Sequence, residues 1–105
     1  MKAIRANDGR ITLFRPELNA KRFTESCIRM CMPTIDESLF IDLIKQHVSH
    51  EQEWIPETDN ASLYIRPFIF ATDDFLGVRP SETYKFMILT CPVGAYYSEP
   101  VSVQA

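Results

Sequence analysis

Two stretches in the second half of the chain, SLYIRPFIF at 62–70 and YKFMILT at 84–90, limit the fold more than any other feature. Both are rich in β-branched and aromatic residues without helical spacing, and both read as strands. A strand alternates its side chains across a sheet, sending Leu63, Ile65 and Ile69 one way and Tyr64, Arg66, Phe68 and Phe70 the other. The first set is wholly apolar and belongs against a core. YKFMILT is apolar at nearly every position after Lys85, the pattern of a strand covered on both faces, and is expected at the centre of the sheet. Pro67 has no N–H for a ladder, so its strand is expected at or near an edge, or bulged there.

The first half of the chain supplies the rest of a layered domain. MKAIR and RITLF flank ANDG, where Asp8-Gly9 suits a turn with positive φ, and this predicts an N-terminal β-hairpin. Pro16 then opens a helix expected to run to about residue 32, with Phe23, Cys27, Met30 and Cys31 on one face and Pro33 as the stop. In TIDESLFIDLIKQHV a second helix can start at Thr34, with Glu37 closing a capping box, or at Asp36 as N-cap. Phe40, Leu43, Ile44 and His47 repeat the helical spacing along it. The order is ββααββ, an α/β (α+β) arrangement. It is expected to form a small two-layer sandwich, with a mostly antiparallel sheet and both helices on one face.

Composition narrows the function classes. A chain of 105 residues, 46% hydrophobic and 24% charged, is one ordinary globular domain with a small core. A formal charge of −3 without a clustered Lys/Arg face argues against nucleic acid as a partner. No segment approaches the ~20 apolar residues of a membrane span, and MKAIRANDGR has no apolar stretch after its basic residues, so a cytoplasmic protein is expected. The three cysteines, an odd number in apolar contexts, suit reduced thiols better than a disulfide framework.

Arg66 poses the sharpest question, because an arginine in an apolar strand is costly to bury unpaired. It either pairs with a nearby Asp or Glu, or forms an anion site for a carboxylate ligand with Tyr64 as a neighbouring hydroxyl. Cys27, Cys31, His47 and His50 form a weak zinc-finger-like string. The His spacing is short and both cysteines fall on the apolar helix face, so no metal site is expected. The acidic stretches at 58–60 and 73–75 read as solvated turns. Phosphate-loop, dinucleotide and nucleophile-elbow motifs are absent, since the chain has three glycines and none suitably grouped.

Six stretches carry a resemblance: MKAIR, LFRPELNAKR, QEWIP, ASLYIRP, LGVRP and CPVGAYY. In order and spacing the chain resembles the branched-chain-amino-acid aminotransferases of pyridoxal-phosphate fold type IV, over essentially its whole length. The resemblance implies an incomplete N-terminal small domain at 1–95 and the beginning of an interdomain linker at 96–105. It also implies a complete enzyme that moves the amino group of Leu, Ile or Val to 2-oxoglutarate with pyridoxal 5′-phosphate. Such an enzyme is a homodimer with a C-terminal large domain carrying the Schiff-base lysine. That lysine has no counterpart here, Lys21 lying in an exposed polar turn, so no catalytic residue is assigned and the chain alone is expected to be inactive.

Residue by residue, the resemblance makes Arg22 a contact to the cofactor phosphate. Arg66 receives the side-chain carboxylate of glutamate, with Tyr64 and Tyr96 lining the same pocket. Leu76 and Val78 belong to a loop that reaches the partner subunit's active site. A second reading is a free-standing binding or regulatory module derived from such an enzyme.

Overall fold

A computed structural model describes residues 1–58 and 60–94. The N-terminal hairpin pairs β1 (Lys2–Arg5) with β2 (Ile11–Leu13). Its loop is closed by Gly9 N–H donating to the Ala6 carbonyl at 2.9 Å and Ala6 N–H donating to that of Arg10 at 2.7 Å. Gly9, at φ 90°, supplies the left-handed residue that such a three-residue loop needs. The hairpin is tied to the rest of the chain by Arg5, whose Nη2 donates to the carbonyl of Gln52 at 2.7 Å in the 3₁₀ turn Gln52–Trp54.

Two helices follow. The first, α1, spans Pro16–Arg29, with proline in the first turn, where no N–H is required. It ends three residues earlier than its apolar spacing predicts. Met32 N–H donates to the Cys27 carbonyl and Cys31 N–H to that of Ile28, a Schellman closure with Cys31 at φ 57°. This closure takes Met30 and Cys31 off the helix, and both are exposed, whereas Cys27 is buried and Phe23 half-buried. The second helix, α2, spans Glu37–His50. Of the two possible starts Asp36 is the cap, its Oδ1 accepting from Ser38 N–H at 2.8 Å and Leu39 N–H at 3.2 Å.

The strands β3 (Ser62–Ala71) and β4 (Tyr84–Val93) complete an antiparallel sheet of order β2-β1-β3-β4. Both helices lie on one face of it. Phe40, Ile44 and Val48 of α2 and Ala20 of α1 pack with Leu63 and Ile65 of β3, Ala3 of β1 and Ile55 in one buried cluster. Phe40, Ile44, Leu63 and Ile65 are fully buried, each stabilising the fold by about 1.5–3 kcal/mol. Phe23, Phe40 and Phe86 stack with centroids 5.1–6.0 Å apart and lock α1, α2 and β4 together.

The strand expected at the centre of the sheet is at its edge. β4 bonds to β3 alone, and only its even-numbered side chains face the helices; Met87 and Leu89 on the other face are 38% and 51% exposed. An apolar run reports which faces can be covered, not whether both backbone edges are bonded. Pro67 shows the complementary effect. Ile65 N–H donates to Met1 at 2.8 Å, so odd-numbered N–H groups of β3 point toward β1. β1 pairs with β3 only at Tyr64 and Leu63, and at position 67 that side of β3 is open. Proline therefore loses no ladder bond inside an interior strand.

Cys31 holds a left-handed backbone that favours glycine. Cys31→Gly should raise unfolding stability in urea by roughly 0.5–1 kcal/mol, through relief of that strain.

Candidate functional site

Where β1 stops and β3 continues, the sheet leaves a cleft of about 200 Å³ between β3 and α1. α1 contributes Asn19, Arg22 and Ser26 to its wall, β3 contributes Tyr64, Arg66 and Pro67, and Phe23 and Phe40 form an aromatic floor. Helical spacing explains the first set, since Asn19, Arg22, Phe23 and Ser26 recur at three and four residues along one stripe. Strand alternation explains why Tyr64 and Arg66 stand together.

Arg66 leans over its neighbour, its guanidinium carbon 5.4 Å from the Tyr64 ring centroid and Nη2 donating to Tyr64 Oη at 3.4 Å. That bond is long, and the guanidinium fork is exposed to solvent. The cleft is also electropositive: burial first, then the charges of Arg22 and Lys2, hold the Met1 amine below the ordinary α-amine range. Two guanidinium groups over an aromatic floor suit a ligand with an anionic group and an apolar body.

The remaining expected site residues lie elsewhere. Leu76 and Val78 are fully exposed, at 107% and 109%, in the β3–β4 loop 72–83 and do not line the cleft. Tyr96 lies outside the described residues. The loop itself is ordered by Arg79, a residue that spacing did not single out. Its guanidinium sits 4.1 Å from the Phe75 centroid and pairs with Asp73 at 3.0 Å and Glu82 at 3.3 Å. Ser81 Oγ accepts from Asp73 N–H and Thr83 N–H and donates to the Thr83 carbonyl at 2.6 Å. A Cβ at Gly77 would collide with the Phe75 ring, so glycine lets the ring fold back under Arg79. The clamp holds the loop base while Leu76 and Val78 point outward.

Asn19 and Ser26 of the cleft and the tie between Arg5 and Gln52 were likewise invisible to the sequence, since each depends on tertiary contact. The only available signal was their helical register with Arg22 and Phe23. Cys27, Cys31, His47 and His50 do not assemble, and among the described residues no group of three His, Cys, Asp or Glu could hold a metal ion. His47 instead shares a hydrogen bond with Thr90 Oγ1 at 3.3 Å, tying α2 to β4. Burial pushes the Cys27 thiol above the ordinary range. No helix among the described residues is long and apolar enough to cross a membrane.

Fold and cleft together define a small α+β domain that offers a cationic, aromatic-floored recess at a break in its sheet. No family model matches the chain. Its sequence is 50% identical over 99 residues to branched-chain-amino-acid transaminase 1 of Bacillus subtilis strain 168, covering 94% of this chain and 28% of that protein. It is 48% identical over 101 residues to branched-chain-amino-acid aminotransferase 2 of the same strain, covering 96% of this chain and 28% of that one. The branched-chain-amino-acid aminotransferase of Mycolicibacterium smegmatis is 42% identical over 107 residues, with coverage of 98% and 29%. The chain is homologous to a segment of the branched-chain-amino-acid aminotransferases, and it spans under a third of the length of these relatives.

Two outcomes test the site's construction. Cys31 and Cys91 should react quickly with a thiol reagent while Cys27 reacts only on unfolding; rapid labelling of Cys27 in the folded chain would contradict its placement under α1. Arg79→Ala should speed hydrogen exchange across 72–83 yet change global stability by less than about 1 kcal/mol, because the pairs it breaks are partly exposed.

Proposed function

We propose that this chain is the small domain of a branched-chain-amino-acid aminotransferase, residues 1–95 forming the domain and 96–105 the start of its linker. The observation that carries the reading is the convergence of Arg22, Tyr64 and Arg66 on one cleft. In the complete enzyme the amino group of Leu, Ile or Val passes to 2-oxoglutarate in the cytoplasm. The larger part of the polypeptide docks on the sheet face bearing Tyr64, Arg66, Phe68 and Phe70. Phe68 and Phe70 stack there 5.8 Å apart, beside exposed Met87 and Leu89.

Pyridoxal phosphate, when bound, supplies the electron sink that amino-group transfer requires. The fit of this chain to it is partial. Arg22 has the chemistry to hold its phosphate, being permanently charged and exposed on the cleft wall. No lysine lines the cleft, so the described residues offer no amine for its carbonyl carbon. The isolated chain is therefore inactive and leaves the reacting groups to the rest of the enzyme.

What this chain contributes is substrate selection. The guanidinium of Arg66 meets a glutamate side-chain carboxylate with two parallel N–H donors, and Tyr64 orients it from the side. When a branched aliphatic chain occupies the pocket instead, Arg66 swings onto Tyr64 Oη and the aromatic surfaces take the methyl groups. One pocket thus accepts both halves of the reaction. Leu76 and Val78, held out by the Arg79 clamp, reach the active site of the partner subunit in the homodimer. Tyr96 completes the pocket where the linker begins.

In a complete enzyme carrying this segment, Arg66→Leu should lower kcat/KM for glutamate roughly 10-fold or more, the loss of a charge-assisted hydrogen bond, while leucine is affected far less. Equal losses for the two substrates would sink the assignment. For the isolated chain, borohydride treatment with pyridoxal phosphate should leave no adduct concentrated on a single lysine; a specific adduct found by mass spectrometry would overturn the proposed inactivity.

A further inference from the structure

The two edges of the sheet are unequal. β2 ends one side with three residues, too short to template another strand, whereas β4 ends the other with ten. Which backbone groups β4 leaves open follows from the ladder. Odd-numbered N–H groups of β3 point toward β1, as Ile65 does, so its even-numbered residues bond to β4; Thr72 N–H donating to the Thr83 carbonyl at 2.9 Å agrees. Across the register Tyr64↔Cys91, Arg66↔Leu89, Phe68↔Met87 and Phe70↔Lys85, the odd residues of β4 are therefore satisfied. The N–H and C=O groups of Tyr84, Phe86, Ile88 and Thr90 face outward. Pro92 is the next outward position and has no N–H, so it bounds the usable edge at 84–90.

We infer that this edge pairs with the same edge of a second copy, antiparallel about a two-fold axis at Met87. Three features of β4 select that occupant and register. Centred on Met87, Phe86 lies opposite Ile88 and Tyr84 opposite Thr90, so each outward N–H from 84 to 90 meets a carbonyl. Shifting the axis to Ile88 would bring Pro92 against Tyr84 and lose a bond. Lys85, the single charge in the run, faces Leu89, so self-pairing sets no like charges opposite one another. On the far face Met87 meets Met87 of the second copy beside Leu89, covering side chains that are 38% and 51% exposed. The two open recesses between α2 and β4, lined by Leu43, His47, Phe86 and Ile88, are brought together at the axis. The sheet becomes continuous across the pair.

The geometry carries its own test. Met87 bonds inward, so Met87 and its symmetry mate form a non-hydrogen-bonded pair with Cα atoms about 4.5 Å apart, within disulfide range. In a 105-residue chain with Cys31→Ser and Cys91→Ser, Met87→Cys should form a covalent dimer under mild oxidation, while Leu89→Cys, which faces Lys85, should not. Two sheets stacked face to face stand about 10 Å apart and would not cross-link at position 87. Ile88→Pro removes an outward N–H and leaves the β3 ladder intact, and it should raise the dimer dissociation constant at least ~10-fold in sedimentation equilibrium. A chain that stays monomeric at every concentration overturns the inference and leaves the edge to an extended segment of another polypeptide. So does a dimer that Met87→Cys fails to cross-link, since it would use a different surface.

Discussion

β3 pairs with a ten-residue strand on one side and a four-residue strand on the other, and the rest of the molecule is arranged around that inequality. Where β1 supports it, β3 is a core strand, with Leu63 and Ile65 fully buried beneath α2. Beyond that support its backbone is open on one side, proline becomes tolerable at 67, and the gap beside it becomes the cleft. The same strand thus builds the core with one half and the recess with the other. Its alternation keeps the functions apart, apolar odd positions inward and Tyr64 and Arg66 outward.

The chemistry of the recess comes from joining that strand to α1. Arg22 alone on a helix would be an ordinary surface charge, and Arg66 alone on a strand an ordinary surface arginine. Placed across one cleft over Phe23 and Phe40, they make a site with two cations and an apolar floor. The β3–β4 loop is a separate device. Arg79, Asp73 and Glu82 close its base, and the collapse of Phe75 over Gly77 leaves Leu76 and Val78 projecting away from the domain. The apolar far face and the open edge of β4 mark where this small unit expects more protein.

Much of this was legible in the residues. Local rules sufficed for the hairpin at Asp8-Gly9, for the cap at Asp36, and for the split of β3 into an inward and an outward set. Tyr64 and Arg66 could be paired from period two alone. The early end of α1 was not legible, because Cys31 takes a left-handed conformation usually left to glycine, and apolar spacing carries no signal for it. The central placement expected of β4 failed for a related reason. Hydropathy measures the affinity of faces for other layers, and here one face of β4 is apolar without being covered by any described residue.

The sequence by itself determined the elements, their order and the face each presents, since period, capping and turn chemistry act over a few neighbouring residues. It also carried the homology that names the family. Only the tertiary structure decided which strand lies at the edge, that Arg22 shares a cleft with Tyr64 and Arg66, and that Arg79 governs a loop. Those outcomes depend on strand pairing and helix docking between residues some forty positions apart, as Arg22 and Arg66 are. No local preference encodes such distances. They are set by which apolar faces can be buried together.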